Sequence, residues 1–262
     1  MDLGIAGRKA ICAGASAGMG LASARALSRE GVELFISARG EERLAAAAAG
    51  IAAETGGKVT PVVADHSTEA GRAMLLGACP EPDIMVITCS PPKTTDDFRD
   101  ILVEDWQASI GTTMVAPIEL MRASVDGMAA RGFGRIVSIA TVAAKFPSVP
   151  RLLSGPARSG LLNYAVAVSK AMAKDNVIIN TLLPGMFQTE TMTQRFRAEA
   201  EAKGVTYEEQ RDKFVARFRI PTGRFGDPDE LGAWCAMFCS QYAAYVVGQS
   251  LVLDGGLING LY

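Results

Sequence analysis

An apolar run from Arg8 to Ala13 breaks at once into Gly14-Ala15-Ser16-Ala17-Gly18-Met19-Gly20, and helical spacing follows over Leu21 to Glu30. This turn constrains the fold more than any other feature of the chain. A buried strand that feeds a glycine-rich turn and opens a helix presents free backbone N–H groups to an anion, and the helix dipole adds a positive end. Glycines there let the backbone approach a pyrophosphate and let the helix lie close to the strand. The Gly-x-x-x-Gly-x-Gly spacing alone is only moderately specific. Its strand–turn–helix setting reads as a dinucleotide turn rather than an empty tight turn. Gly14, Ser16, Ala17, Gly18, Met19 and Gly20 are the expected contacts of that turn.

The alternation continues to the end of the chain. Strands are expected at Val32 to Ala38, Val59 to Ala64, Asp83 to Thr88, Arg135 to Ala140, Val177 to Leu183 and Ser250 to Leu253. Helices are expected at Glu41 to Glu54, Thr68 to Ala78, Asp105 to Arg131 (with Gly111 and Pro117 as weak points), Gly155 to Lys174 and Asp229 to Cys239. Continuous apolar strands separated by helices predict a parallel sheet covered on both faces. The expected architecture is a single α/β domain over 1–262, doubly wound, with a mostly parallel seven-stranded sheet. A charged insertion, Thr189 to Pro221, reads as a helical flap over the carboxyl edge of the sheet, where ligands bind in such folds.

Net charge is −2, with acids and bases interspersed, so no clustered basic face for nucleic acid is expected. The longest apolar stretch, Ala233 to Gly248, is interrupted by Ser240 and Gln241 and is a poor membrane span. Arg8 and Lys9 before an apolar run faintly resemble a leader, but the run ends in the glycine turn. The five cysteines lack metal spacing, Cys235 and Cys239 read as core residues, and the single histidine, His66, has no ligand-spaced neighbour. No metal is expected, and a reducing, cytoplasmic setting fits.

The second strand ends Ser37-Ala38-Arg39. NAD-selecting enzymes of this architecture usually place an acid here for the ribose hydroxyls. Arg39 instead suits a 2′-phosphate, which favours NADP(H) over NAD(H).

Taken with these features, the chain resembles the short-chain dehydrogenase/reductase family over almost its whole length. Gly14 to Gly20 resembles its cofactor turn, and Asp65, followed by His66, stands where members contact the adenine. Asp83-Ile84-Met85-Val86 resembles the strand before the Asn-Asn-Ala-Gly motif, and Gly134 to Ile139 the strand leading to the catalytic serine. Asn180 to Gly185 resembles Asn-x-x-x-Pro-Gly, with Thr189 at the threonine that often holds the carboxamide. Gly223 to Pro228 and Gly248 to Gly256 resemble the C-terminal signatures. The resemblance adds Asp65, His66, Ser90, Pro184, Gly185 and Thr189 to the expected cofactor contacts. It also implies a homodimer or homotetramer, through the helices around Asp105 to Arg131 and Gly155 to Lys174.

The catalytic positions depart from the family. Its serine is Thr141 here, its tyrosine is Ser154 and its lysine, four residues on, is Arg158. Ile87-Thr88-Cys89-Ser90 replaces Asn-Asn-Ala-Gly, and the assisting asparagine falls near Thr113. Tyr164 and Lys170 lie six residues apart, on nearly opposite helical faces, and make no substitute pair. Serine is a far weaker acid than a tyrosine beside a cation. Arginine relays no proton but binds oxyanions with a planar fork. Ser154 also suits a helix cap before Gly155-Pro156.

Three readings follow. One is an oxidoreductase on a small carbonyl or alcohol substrate, held by Thr141, Ser154 and Arg158. Another is a lyase or isomerase in which Arg158 stabilises an anion. The last is a cofactor-sensing or scaffold protein without catalysis. Lys93, after the fourth strand, would supply a proton if desolvated but is expected as a solvated lysine. The flap arginines Arg195, Arg197, Arg211, Arg217 and Arg219 would suit a negatively charged substrate or a coenzyme-linked acyl group but are expected as solvated charges.

Overall fold

The computed structural model describes residues 1–258; the last four positions of the expected 1–262 domain lie outside the described residues. In chain order the elements are β1 Lys9–Ala13, α1 Gly18–Arg29, β2 Glu33–Ala38, α2 Glu41–Thr55, β3 Val59–Val63, α3 Glu69–Ala78, β4 Ile84–Thr88 and α4 Val103–Ile110. There follow α5 Ala116–Ala130, β5 Gly134–Ile139, α6 Ser154–Met172, β6 Val177–Pro184, α7 Glu190–Lys203, α8 Tyr207–Phe218, α9 Pro228–Cys239 and β7 Ser250–Leu253. The strands form one seven-stranded sheet, ordered β3-β2-β1-β4-β5-β6-β7. Every neighbouring pair is parallel. Strand order reverses between β1 and β4, so a crevice opens at their carboxyl ends.

Each strand feeds both faces. In β1, Ala10 and Cys12 join the cluster under α1, α2 and α9, with Leu27, Leu44 and Leu231. Ile11 and Ala13 join the opposite cluster under α5 and α6, with Leu120, Met128 and Leu161. That is the two-residue period of a strand buried on both sides. Cys235 and Cys239 are core residues, as expected. No helix among the described residues is long and apolar enough to cross a membrane.

The region expected as one helix from Asp105 to Arg131 does not break at its weak points. Gly111–Val115 forms a π turn between α4 and α5, and Pro117 falls in the first turn of α5. Pro117 has no N–H for a carbonyl one turn back, and the wider turn before it accommodates that gap. The 189–221 segment folds as α7 and α8 around a small core of Phe196, Val215, Ile220 and Phe225.

Arg135 is a charge inside the fold, with 1% of its surface exposed. Its Nε donates to the Ser240 carbonyl at 3.0 Å, and one terminal nitrogen donates to the Gly134 and Asn176 carbonyls at 2.8 and 2.9 Å. The other terminal nitrogen donates to Asn176 Oδ1 at 3.1 Å, and the guanidinium lies over the Phe133 ring. Burial pushes its pKa down to about 10. The side chain ties β5 to the ends of α9 and of the loop before β6. Arg135→Met keeps the volume but strands several buried carbonyls, each worth about 1–3 kcal/mol. Its melting temperature should fall by roughly 10 °C. A thermal melt within about 2 °C of wild type would mean that water replaces the guanidinium.

Candidate active site

The glycine turn sits at the carboxyl end of β1. Gly14 adopts φ +75°, and a Cβ there would collide with the Thr88 carbonyl oxygen at the end of β4. A Cβ on Gly20 would strike the Gly14 carbonyl oxygen. The turn therefore meets β4 on one side and α1 on the other at distances only glycine permits. Helix α1 has Ala17 at its N-cap, no side-chain cap and no acidic residue in its first turn. Its first N–H groups are left for an anion. Thr189 closes the other side: a Cβ on Gly18 would lie 3.5 Å from Thr189 Cγ2. Thr189 Oγ1 also caps α7, accepting from Met192 N at 3.3 Å. These features fit a pyrophosphate.

Beyond β2, Arg39 is exposed and forms no ion pair among the described residues. Asp65, past the adjoining end of β3, accepts from Ser67 N at 2.9 Å. The Ser67 hydroxyl first, then this backbone bond and the charge of Arg39, hold its carboxyl below the usual range against burial. Ser90 is exposed at the mouth, and Pro184 is buried at the end of β6. Gly185 donates to the Leu253 carbonyl at 2.9 Å, and a Cβ there would press on Asp254. The cofactor-side expectations thus converge on one edge of the sheet.

The catalytic candidates meet further along that edge. Arg158 Nη1 donates to Ser154 Oγ at 2.6 Å, and Nη2 donates to the Cys89 carbonyl at 3.3 Å. Both side chains are buried, with 6% of Ser154 and 4% of Arg158 exposed. Ser154 begins α6 but caps nothing: its oxygen faces Arg158 one turn on, so the capping alternative does not hold. Ser109 fixes the entry to the helix, donating to the Leu153 carbonyl at 2.5 Å. Thr141 Oγ1 accepts from Ala143 N at 3.3 Å, and the 3₁₀ turn it starts packs on α6, where Ser159 donates to the Ala144 carbonyl at 2.5 Å. Burial pushes the Arg158 pKa down, yet a guanidinium starts so high that it stays charged near neutrality.

Thr113 turns back onto its own helix, donating to the Ser109 carbonyl at 2.8 Å. Lys93 is exposed and paired with Asp105 at 2.5 Å. One pairing escaped the sequence: Cys89 Sγ lies 3.6 Å from His66 Nε2. The residues are 23 apart in sequence, and the loops after β3 and β4, strands separated in the sheet by β2 and β1, meet along its carboxyl edge. Burial raises the Cys89 thiol to about 11 and lowers the His66 pKa, so near pH 7 the cysteine is no thiolate and the histidine no cation.

A parallel sheet of this order, with a phosphate turn after β1 and a polar cluster at the start of α6, defines a Rossmann-type dinucleotide-binding protein. The chain belongs to the short-chain dehydrogenase/reductase family: a family model described as enoyl-(acyl carrier protein) reductase matches residues 14–258. A monensin polyketide synthase putative ketoacyl reductase of Streptomyces virginiae is 30% identical over 260 residues, covering 96% of this chain and 97% of the relative. A 3-oxoacyl-(acyl-carrier-protein) reductase of Aquifex aeolicus (strain VF5) is 26% identical over 98% of this chain and its own full length. The structure of L-sorbose reductase from Gluconobacter frateurii, complexed with NADPH and L-sorbose, superposes with a TM-score of 0.93 at 27% identity over the whole of both chains.

Proposed function

We propose that this chain is an NADP(H)-dependent oxidoreductase of carbonyl and alcohol substrates, in which Ser154 and Arg158 replace the family's tyrosine and lysine. The observation that carries the reading is the 2.6 Å Arg158–Ser154 hydrogen bond in a cleft built for a dinucleotide. Gly14 to Gly20 would hold the pyrophosphate, and Asp65 with the His66 backbone would meet the adenine. Ser90, Pro184, Gly185 and Thr189 would line the nicotinamide half. Arg39, without a carboxylate partner, would take a 2′-phosphate, and the NADPH in the sorbose reductase complex supports that choice. When bound, the cofactor supplies or accepts the hydride.

The chain's own groups then act on the substrate oxygen. An Arg158 N–H occupies a lone pair of Ser154, which leaves the serine proton to donate outward. Thr141 is arranged alike, with Ala143 N on its oxygen and its own proton free. Two hydroxyls thus polarise one carbonyl, and the buried guanidinium beside them stabilises the negative charge that builds on its oxygen. Neither hydroxyl is an effective acid, so the oxygen takes its proton from water. The absent general acid costs about 10²–10⁴ in rate. α7 and α8 cover the substrate as a flap. Leu102, Val103, Ile110 and Val115 are exposed along α4 and the π turn, and support self-association through that face.

Fluorescence titration with NADPH and NADH tests the cofactor. Wild type should prefer NADPH, and Arg39→Ala should weaken NADPH about 10–100-fold while leaving NADH unchanged. A panel of ketones, aldehydes and oxo acids with NADPH tests the chemistry. Tight NADPH binding with no turnover of any carbonyl would favour the cofactor-sensing alternative.

A further inference from the structure

Arg158 is a buried cation without an anion. Its guanidinium carries five N–H donors, and only two bonds are made, both to neutral oxygens: Ser154 Oγ and the Cys89 carbonyl. No carboxylate pairs with it among the described residues. The groups acting on its charge are the Cys89 thiol, neutral at pH 7, and Arg151, a second cation. Arg151 is exposed on the turn before α6, and it too lacks an ion pair among the described residues. Some arginines nearer the surface do meet acids: Arg25 and Arg29 share Glu54 and Asp229, and Arg224 pairs with Glu230. Arg135 is buried as deeply without an acid, but its three nitrogens make four bonds to neutral oxygens, whereas Arg158 makes only two and keeps N–H groups unused. Charge removed from water is costly unless it is compensated, and this site holds its compensation open.

We propose that the compensating anion is the substrate, and that it carries a carboxylate on the carbon next to its carbonyl: a 2-oxo acid, or the 2-hydroxy acid in the reverse direction. This inference rests on the oxidoreductase reading above. The spacing selects the class. Ser154 Oγ and Arg158 Nη1 stand 2.6 Å apart, so two oxygens that meet the serine proton and the free guanidinium N–H groups are close neighbours. Adjacent carbonyl and carboxylate oxygens, on two bonded carbons, present that arrangement. A carboxylate several carbons away would have to fold back to reach the same pair. The planar fork then binds the carboxylate while Ser154 and Thr141 hold the carbonyl, and Arg151 attracts the anion at the mouth. A lysine at this position offers one mobile point charge instead of a fork, which gives the replacement a reason.

The test compares straight-chain 2-oxo acids with their methyl esters, which keep the ketone and remove the charge. With NADPH, wild type should favour the acid about 100-fold in kcat/KM, as expected for one desolvated charged hydrogen-bonded pair. Arg158→Met should slow both substrates, because the guanidinium also faces the developing oxyanion, but it should slow the acid far more and so bring acid and ester within about threefold, and Arg158→Lys should retain part of the preference. Binding is read independently by calorimetry on the NADP⁺-loaded protein, where no 2-oxo acid can be reduced. The acid should bind wild type and not Arg158→Met, and the ester should bind neither tightly. Esters turned over as well as acids would overturn this inference and leave the oxidoreductase reading standing. No turnover of any carbonyl would remove that reading, and the calorimetry then decides the anion site alone. Equal binding of acid and ester by wild type, or an acid preference that survives Arg158→Met, also overturns it.

Discussion

Gly14→Ala should abolish NADPH binding and destabilise the fold together. Two costs act at that position. Its φ of +75° lies in the left-handed region, where a Cβ costs about 1–2 kcal/mol. The added carbon would also be driven into the Thr88 carbonyl oxygen, which belongs to the backbone of β4 and cannot swing aside. Overpacking of that kind costs about 1–3 kcal/mol more. Either β1 and β4 separate or the turn rises from its seat, and in both cases the N–H groups of α1 lose their aim. Fluorescence titration should find no NADPH binding tighter than ~1 mM, and melting should fall by about 5–15 °C. Gly18→Ala separates the two effects. Its Cβ meets Thr189 Cγ2 only at 3.5 Å, an ordinary contact, but it projects into the cleft between turn and flap. The melt should shift by a few degrees at most, while NADPH affinity falls at least tenfold. Wild-type affinity in Gly18→Ala would mean that the turn does not hold the pyrophosphate.

The contrast between these two glycines marks what a sequence of this kind reveals. All seven strands are visible as apolar runs, most clearly β1, β4, β5 and β6, which are buried on both faces and tolerate few polar residues. The phosphate turn is visible because backbone approach demands glycine at fixed spacing. The π turn at Gly111–Val115 is not: a proline and a glycine in a helical run signal irregularity, but only packing decides whether the helix stops or widens. Arg135 reads as an ordinary strand-end arginine until Ser240 and Asn176, distant in sequence, supply its acceptors. Ser154 is similar. Its neighbours suggest a cap, and what overrides them is Arg158 one turn on, whose charge needs an oxygen more than the α6 backbone needs one. Local signals therefore place residues on the right edge of the sheet, while long-range partners decide what each side chain does there. The Cys89–His66 contact belongs to the second kind, since it depends wholly on strand order.

Removing either member of the Ser154–Arg158 pair should cost nearly as much as removing both. In Ser154→Ala the guanidinium loses its closest acceptor and the substrate loses a donor; in Arg158→Met the serine keeps its proton but no cation faces the developing oxyanion. Each single variant should lower kcat about 10²–10³-fold, the range for one preorganised oxyanion donor. The double variant should be less than about tenfold worse than the weaker single, because groups that act as a unit are not additive. Independent effects that multiply would mean that the 2.6 Å contact is structural packing and not a working pair. The pH profile supplies a second readout. A tyrosine acid would give an alkaline limb to kcat as its phenol ionises, whereas a serine does not titrate and Arg158 keeps its charge through neutral pH. Wild-type kcat should therefore stay flat from about pH 6 to 9. Ser154→Tyr/Arg158→Lys should acquire an alkaline limb if the larger side chain fits in place of a serine only 6% exposed. Turnover confined to that double variant, with none in wild type, would mean that the native pair binds without catalysing.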